Sequence, residues 1–319
     1  MEQKTALGRS ALQVPRLGVG AMTWGQARGL ARLHPAKIAY GGADSIEEEK
    51  RAFEASVAVG VDLFDTAAMY SGGASERRVG ELAGERDVLI ASKFPGSFSF
   101  RAEDFPKEFE ASLARLKRGI IDLYQHHFPS DGVSIPRLMD LMADAVEAGK
   151  IKAVGVSNYS AEQMREAHAA LAKRGIPLAS NQVEYSLLHR QPETNGVLEA
   201  CKELGITLIA YSPLAMGALT GKYSATQKAS GLRRFLPNFN KKTMDAVQPV
   251  VALLRQIGER HAKAPSQVAL RWLIENPLVP PIPGAKNGKQ AADNAAARSF
   301  CLTADEIEAL SRATLAWRR

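Results

Sequence analysis

"VDLFDTAAMYSGG" (Val61–Gly73) starts as an apolar run that suits a buried strand, and the run then ends on the carboxylate of Asp65. Burying an unpaired carboxylate costs several kcal/mol, so Asp65 requires a partner if this strand lies inside the protein. The same pattern recurs along the chain, where short apolar runs that close on a polar residue alternate with amphipathic stretches. This alternation is typical of a parallel sheet made of βα units.

Eight such runs can be counted in the 319 residues of the chain. They are "RLGVGAM", "VDLFDT", "VLIASKF", "IDLYQHHF", "IKAVGVSN", "LASNQVEY", "ITLIAYSPL" and "LVPPIPGA". Eight strands with intervening helices predict an α/β fold of the (β/α)8 TIM barrel type, and we expect a single domain over residues 1–319. A doubly wound sheet is the structural alternative, but it usually carries a G-x-G-x-x-G turn after its first strand, and "GVGAMTWG" does not fit that motif.

Residues that typically precede helices mark where helices begin in the stretches between the apolar runs. Ser45 and Glu48 form a capping box, Ser75 precedes a short helix, and the "TADE" motif from Thr303 opens an extra C-terminal helix. The other predicted helices cover 106–116, 136–148, 161–174, 196–204, 243–261 and 265–275. Residues 4–14, which contain the turn "GRS", predict an N-terminal hairpin that caps the barrel floor.

The composition limits the class of protein. Hydrophobic residues make up 45% and charged residues 24% of the chain, so an ordered core is expected throughout. With Cys201 and Cys301 as the only cysteines and no secretory signal or apolar span in view, we expect a cytoplasmic protein without a membrane segment, or an organellar one supplied without its transit peptide. The net charge of +7 permits an anionic ligand, but the basic residues are scattered, so no nucleic-acid partner is expected. Nothing in the sequence indicates an oligomeric state.

Polar residues end six successive strands of the predicted barrel. They are Asp65, Lys93, His127, Asn158, Gln182 and Ser212. The carboxyl ends of all barrel strands open on the same face, where barrel active sites lie. Any one of these residues could be a helix cap or a surface group, but six in succession favour a common site.

The first three of these residues, together with Tyr70, predict a proton donor aimed at a carbonyl group. Asp65 and Lys93 would neutralise each other at the mouth, with the ammonium beside Tyr70. A phenol has a pKa of about 10, and a nearby cation favours its ionised form, which suits a general acid. Adjacent residues of a strand face opposite sides, so only one of His126 and His127 can enter the site, and we expect His127 to orient the carbonyl oxygen.

Metal chemistry is the main competing interpretation, because many barrels hold zinc or paired metal ions. Lysine, asparagine, glutamine and serine are poor ligands for such ions, and the sequence has neither an H-x-H motif nor a carboxylate cluster. We therefore expect no catalytic metal.

These residues resemble the aldo-keto reductase family over most of the chain. "FDTAAMY" is similar to the family's Asp-Thr-Ala-x-x-Tyr signature, "ASKF" to its lysine segment, "IDLYQHHFP" to its Gln-x-His segment and "KAVGVSNYS" to its Gly-x-Ser-Asn segment. Within the family, the sequence resembles plant and cyanobacterial members, which include pyridoxal reductase. The resemblance implies NADPH-dependent reduction of an aldehyde or ketone to an alcohol. It also implies that Tyr70 is the acid, that Lys93 and Asp65 lower its pKa, and that His127 orients the substrate.

The resemblance also implies a cofactor site. Ser157, Asn158 and Gln182 match the residues that hold the nicotinamide carboxamide, and Tyr211 matches the ring stacked on the nicotinamide. Lys286 corresponds to the basic residue at the 2′-phosphate, which implies NADPH rather than NADH. The other implied contacts are Gly20, Ala21, Met22, Asp65, Ser212, Pro213, Leu214, Gly217, Leu219, Lys222, Ile282, Gly284, Gln290, Asp293 and Asn294. The small residues of "SPLAMGALTGK" would let backbone amides approach a pyrophosphate.

Substrate selection is expected to depend on loops at the mouth. The insertion between Gln26 and Asp44 is long for a first βα loop and would overhang the mouth. The insertion could shape the substrate pocket together with Trp24, Tyr40, Met69 and Phe128, although each aromatic could equally pack within a loop.

Two other classes of function stay open. An NADP(H)-binding regulatory module, as in the potassium-channel β subunits that share this fold, would bind the cofactor and turn over slowly. A phosphate-handling barrel isomerase would not bind a nicotinamide cofactor at all. A titration with NADPH separates the isomerase from the other two.

Overall fold

A computed structural model of the chain describes residues 4–26, 45–96, 100–130, 132–223 and 239–318. The predicted N-terminal hairpin is present as antiparallel β1 (Thr5–Ala6) and β2 (Gln13–Val14). In these ranges, seven parallel strands follow, and each one pairs with the next along the chain. They are β3 (Val19–Gly20), β4 (Leu63–Asp65), β5 (Leu89–Phe94), β6 (Ile121–His126), β7 (Ile151–Ser157), β8 (Leu178–Glu184) and β9 (Thr207–Tyr211).

The eighth apolar run closes the sheet without forming a regular strand. The N–H of Ile282 donates to the carbonyl of Ala210 at 3.0 Å on one side, and the N–H of Gly20 donates to the carbonyl of Pro283 at 3.1 Å on the other. Three residues of the run lack an N–H and interrupt the ladder, namely Pro280, Pro281 and Pro283. The prediction of eight regular strands was wrong at this run, but the fold is the predicted (β/α)8 barrel.

The predicted helices are present, with ends that differ by a few residues. They are Ile46–Ala58, Ala74–Ala83, Phe105–Leu116, Ile135–Glu147, Ala161–Ala172, Val197–Leu204, Lys241–His261, Pro265–Ile274 and the extra C-terminal Ala304–Ala313. The helix Gly288–Ala295 was not predicted. Thr303 forms the predicted capping box with Glu306. Ser45 accepts the N–H of Glu48 at 3.2 Å, but the carboxylate of Glu48 accepts from Arg51 at 2.6 Å instead of completing the predicted box. Ser75 does not cap its helix, because that helix starts one residue earlier behind Gly73, and the Ser75 hydroxyl donates to the carbonyl of Ala21 at 2.7 Å instead. None of the helices in the described ranges is long and apolar enough to span a bilayer.

The apolar core has two parts, on the two sides of the barrel wall. Aromatic side chains such as Phe64, Phe94 and Tyr124 fill the layer between the strands and the outer helices. Inside the barrel, a second cluster includes Leu63 and Leu123 from the strands, together with hairpin residue Leu7. The hairpin therefore packs against the floor of the barrel, which leaves the opposite end for the site.

Gly80 allows two neighbouring helices to touch backbone to backbone. A Cβ atom at this position would lie 2.2 Å from the carbonyl oxygen of Leu116. We therefore expect Gly80→Ala to destabilise the protein by about 1–3 kcal/mol, because the helices would have to separate. Thermal unfolding tests this beside Gly119→Ala, where the added methyl group meets nothing within 4 Å. Equal Tm values for the two variants would contradict the contact.

Candidate active site

The polar layer at the mouth follows from the alternation of side chains along each strand. Leu63 and Leu123 lie in the apolar floor of the barrel, and two residues further along the same strands Asp65 and Gln125 point to the same interior. Lys93 pairs with Gln125 in the register between β5 and β6, so the three polar groups reach one level. The apolar strand that ends on Asp65 is thus the wall of a barrel whose mouth is polar.

The carboxylate of Asp65 is buried and fully partnered. Its Oδ1 lies 2.5 Å from Nζ of Lys93, and its Oδ2 accepts N–H groups from Gln182 at 2.8 Å and Gln125 at 3.3 Å. Lys93, which has no exposed surface, also donates to the carbonyl of Thr66 at 2.8 Å. Each buried charge therefore has the counter-charge and hydrogen bonds that its burial requires.

Tyr70 lies directly over this ion pair. Its hydroxyl is 3.4 Å from Nζ of Lys93, and the same ammonium is 4.9 Å from the centre of its ring. Burial lowers the pKa of Lys93, while the negative charges of Asp65 and Glu76 oppose that shift. The structure thus brings a phenol and a buried ammonium within hydrogen-bonding distance.

The two adjacent histidines leave β6 on opposite sides. His127 faces the mouth, where its ring meets the edge of the Tyr70 ring at 5.5 Å between centres. Burial and the positive charge of Lys93 hold the pKa of His127 well below its usual range, so its imidazole is neutral. His126 points into the helix layer, where its Nδ1 lies 2.6 Å from the hydroxyl of Tyr159, and burial lowers its pKa to about 3.

A second group of side chains surrounds Asn158, which directly follows β7. Its Nδ2 donates to the carbonyl of His127 at 3.0 Å and to Oγ of Ser157 at 3.1 Å, and its Oδ1 accepts from the hydroxyl of Tyr211 at 3.0 Å. A backbone carbonyl can only accept, so these bonds fix which way the amide faces. Both N–H groups of the amide are used, and Oδ1 retains one acceptor position. Ser157 in turn donates to the carbonyl of Gln182 at 2.8 Å.

The segment after β9 turns tightly at the same end of the barrel. Ser212 follows the strand with a φ of 49°, and three consecutive residues further on, Ala215, Met216 and Gly217, have φ of 47°, 58° and 101°. Such left-handed turns bring successive backbone N–H groups to one side and suit an anion. Leu214 and Pro213 are in the same turn, whereas Lys222 follows it and is exposed.

Residues 282–294 begin beside β3, and their second half forms most of the helix Gly288–Ala295. Asn287 caps this helix, and the N–H of Lys286 donates to Oε1 of Gln290 at 3.0 Å. Asn294 donates to the carbonyl of Gly284 at 3.2 Å, which folds the segment back on itself. It meets the barrel at Gly20, so Gly20, Ala21 and Met22 lie at its edge.

Two of the predicted cofactor residues could contribute only their backbone. Leu219 and Ile282 have buried side chains within the hydrophobic core. The carboxylate of Asp293 pairs with Lys289 at 2.7 Å on the exposed side of its helix. The remaining predicted residues lie at the mouth or on the two segments beside it.

The expected pocket residues divide into two kinds. Trp24 is fully buried and its indole N–H donates to the carbonyl of Ala285 at 2.6 Å, so it packs in the core. Phe128 is 42% exposed and stacks on His127 with 4.4 Å between ring centres. Tyr40 and residues 27–44 of the insertion lie outside the described residues.

Sequence reasoning missed two partners of the ion pair. The carbonyl of Thr66 carries no sequence signal, since any residue at that position offers one. The amide of Gln125 does carry one, because it precedes His127 by two residues and therefore shares its face of the strand. Among the residues that the structure describes, no group of three or more acidic, histidine or cysteine side chains could hold a metal ion.

The barrel brings a phenol, a buried ion pair and an imidazole together at its mouth. The model of the aldo/keto reductase family matches residues 16–314, so the chain belongs to that family and is an oxidoreductase that acts on carbonyl compounds. Members of the family generally use NADH or NADPH.

Relatives of known sequence and structure cover nearly the whole chain. An oxidoreductase of Mycobacterium tuberculosis is 39% identical over 313 residues, which span 96% of this chain and 91% of the relative. The chloroplastic pyridoxal reductase of Arabidopsis thaliana is 33% identical over 321 residues, or 95% of this chain and 84% of that protein. The glycerol dehydrogenase of Gluconobacter oxydans superposes with a TM-score of 0.82 at 26% identity, with 98% of this chain and 94% of that chain covered. A thermostable aldo-keto reductase crystallised with the inhibitor epalrestat gives 0.76 at 28% identity, with 98% and 100% covered.

Proposed function

We propose that this protein reduces an aldehyde or ketone to an alcohol with NADPH, and that Tyr70 is the proton donor. The observation that carries this proposal is the buried Lys93 ammonium, which lies 2.5 Å from the carboxylate of Asp65 and 3.4 Å from the hydroxyl of Tyr70. A fixed cation beside a phenol stabilises the phenolate that forms when the phenol gives up its proton.

Each side chain at the mouth has a separate role in the proposed reaction. His127 is neutral and can donate one N–H to the carbonyl oxygen of the substrate, which directs that oxygen toward Tyr70. Tyr70 then gives its proton to the same oxygen as negative charge develops there, and Lys93 stabilises the tyrosinate left behind. Bound NADPH would supply the hydride to the carbonyl carbon. Asp65 holds Lys93 in place and balances its charge.

The residues around Asn158 fit a nicotinamide carboxamide. Such a group carries two N–H donors and one carbonyl acceptor. Asn158 retains one acceptor position on Oδ1, and Gln182 spends only one of its N–H groups on Asp65. Tyr211 is held by Asn158 at the edge of this group, where its ring could stack on a planar ligand. The left-handed turn from Ala215 to Gly217 would receive the pyrophosphate.

Lys286 is the residue that we propose for the 2′-phosphate, which distinguishes NADPH from NADH. Replacing it in Lys286→Met should raise the Kd for NADPH by about tenfold or more and leave the Kd for NADH nearly unchanged, because a charge-assisted hydrogen bond contributes about 1.5–3 kcal/mol. Fluorescence titration with both cofactors measures the two constants. Lys289→Met is the matched control, since Lys289 pairs with Asp293 four residues away and is 83% exposed. Equal losses for NADPH and NADH would contradict the assignment.

The reductase proposal is tested by following NADPH oxidation with a panel of carbonyl compounds. Pyridoxal belongs in the panel because of the name of the Arabidopsis relative, and methylglyoxal, aromatic aldehydes and sugar-derived aldehydes complete it. Turnover of any member that depends on Tyr70 supports the proposal. Tight NADPH binding without turnover would favour the regulatory module, and the absence of NADPH binding would favour the isomerase.

We also propose the binding partners of this protein and the compartment in which it acts. Its partners would be a small carbonyl compound and NADPH, without nucleic acid. Cys201 and Cys301 are both free thiols, with Cys201 buried and Cys301 exposed, which fits a reducing compartment such as the cytoplasm.

A further inference from the structure

The turn that carries Tyr70 has an unusual backbone. It spans Tyr70–Gly73 as one short 3-10 segment, and its last three residues are all left-handed, with φ of 53° at Ser71, 63° at Gly72 and 79° at Gly73. A left-handed conformation costs free energy for a residue with a Cβ atom such as Ser71. Contacts from elsewhere in the fold must therefore hold this turn in place.

Arg115 provides such a contact from the helix Phe105–Leu116. A Cβ atom at Gly73 would lie 2.6 Å from Cδ and 3.0 Å from Nε of Arg115, so the arginine stem lies directly against the turn. The absence of a side chain at Gly73 is what makes this approach possible. The turn and the arginine belong to two successive βα units, and their contact is tertiary.

The guanidinium of Arg115 is held by a buried carboxylate. Its Nε donates to Oε2 of Glu76, which has no exposed surface, and its Nη2 donates to Oγ of Ser112 at 3.0 Å. The other oxygen of Glu76 accepts from Oγ of Ser92 at 2.6 Å. Ser92 precedes Lys93 on β5, so a continuous chain of hydrogen bonds joins the arginine to the strand that carries the ammonium.

We propose that Arg115, held by Glu76, is a positioning residue that sets the distance between the hydroxyl of Tyr70 and the ammonium of Lys93. The inference rests on the proposed role of Tyr70 as the acid. Arg115 touches the turn that carries Tyr70, and Glu76 is bonded through Ser92 to the strand that carries Lys93. Displacing a reacting group by about 1 Å can lower a rate a hundredfold, so a contact outside the mouth can govern the chemistry.

The charges around the phenol decide the sign of the expected pH effect. Among the described residues, the titratable or charged groups around the phenol and its turn are Lys93 with Asp65 behind it, His127 across the mouth, Glu76 with Arg115 beneath the turn, and Arg77, whose Nη2 donates to the carbonyl of Gly72 at 3.2 Å. Of these groups, Lys93 lies within hydrogen-bonding distance of the Tyr70 hydroxyl. If the turn moves away from Lys93, the phenolate loses its stabilising cation and the pKa of Tyr70 rises. A protonated acid is needed for activity, so the alkaline limb of the rate profile would move to higher pH.

Arg115→Lys tests the inference, because lysine keeps the charge but lacks the fork that reaches both Glu76 and Ser112. We expect kcat to fall by about tenfold to a hundredfold with an unchanged Kd for NADPH, and the alkaline limb to move up by roughly half a pH unit. Arg271→Lys is the matched control, since Arg271 is a buried arginine that pairs with Glu275 at 2.7 Å in another helix. It should lose a similar amount of stability while the alkaline limb stays in place. A shift in both variants, or in neither, would overturn the inference.

A measurement without substrate separates this inference from the reductase proposal. Tyrosinate absorbance is titrated in wild type and Arg115→Lys, each beside the same protein with Tyr70→Phe, so that the difference reports Tyr70 alone. Burial raises the pKa of Tyr124, Tyr159 and Tyr185, which keeps them out of the working range. An upward shift for Tyr70 in Arg115→Lys supports the positioning role even if no carbonyl compound is reduced. An unchanged midpoint overturns it even if the enzyme is active.

The double variant Glu76→Gln/Arg115→Met tests the positioning role even if Arg115→Lys fails to fold. It removes both charges together, so that neither is left buried alone. We expect this protein to fold, to bind NADPH like wild type and to show the same upward shift of the Tyr70 midpoint. A folded double variant with the wild-type midpoint would also overturn the positioning role.

Discussion

Replacing Tyr70 by phenylalanine should lower kcat for aldehyde reduction by roughly two orders of magnitude or more. The variant keeps the ring that contacts His127 and loses only the hydroxyl that lies 3.4 Å from Lys93. The substrate oxygen then loses the acid that lies beside the Lys93 ammonium, and its proton would have to come from water. NADPH oxidation at saturating cofactor measures the loss, and fluorescence titration should give the same Kd for NADPH as in wild type.

A second tyrosine provides the control for this result. Tyr185 is also buried, and its hydroxyl donates at 3.0 Å to Glu193, which lies in the short 3-10 helix Gln191–Glu193 outside the site. Tyr185→Phe should therefore retain nearly full activity. If Tyr70→Phe is as active as Tyr185→Phe, Tyr70 is not the proton donor.

Replacing Lys93 by methionine should affect both activity and stability. The variant keeps most of the side-chain volume but leaves the carboxylate of Asp65 buried with only neutral amide donors from Gln182 and Gln125. Breaking a buried ion pair from one side costs about 3–5 kcal/mol. We expect a loss of this size in the free energy of unfolding, measured by denaturant titration, and a loss of turnover as large as that of Tyr70→Phe.

The double variant Asp65→Asn/Lys93→Met separates the two effects. It has no unpaired charge, so most of the lost stability should return while activity stays low. The role of the ion pair would be contradicted if Lys93→Met alone were as stable and as active as wild type, or if the double variant recovered activity together with stability.

The barrel and the level of its polar layer could be predicted because both depend on short-range rules. Strand side chains alternate with a period of two, and the carboxyl ends of barrel strands open on one face. These two rules were enough to place Asp65, Lys93 and Gln182 in one layer and to separate His127 from His126. In the structure, Lys93 and Gln182 lie within hydrogen-bonding distance of Asp65, and His127 and His126 lie on opposite sides of the strand.

Features that depend on long-range packing could not be predicted in the same way. The prolines of the eighth run leave its strand irregular, although the run still fills the gap between β9 and β3. Ser75 has the residue type of a helix cap, yet it bonds Ala21 because the preceding turn is already left-handed. The contact of Arg115 with the Tyr70 turn depends on how two helices pack, and no local pattern encodes that distance.

Transfer of a labelled hydride tests the central claim most directly. NADPH carrying deuterium at C4, prepared separately in each of its two stereochemical forms, is incubated with the protein and a turned-over aldehyde, and the alcohol is examined by mass spectrometry. We predict that one of the two forms delivers one deuterium to the former carbonyl carbon and that Tyr70→Phe slows this transfer. Alcohol without deuterium from either form, or cofactor binding without any alcohol, would contradict the proposed reduction.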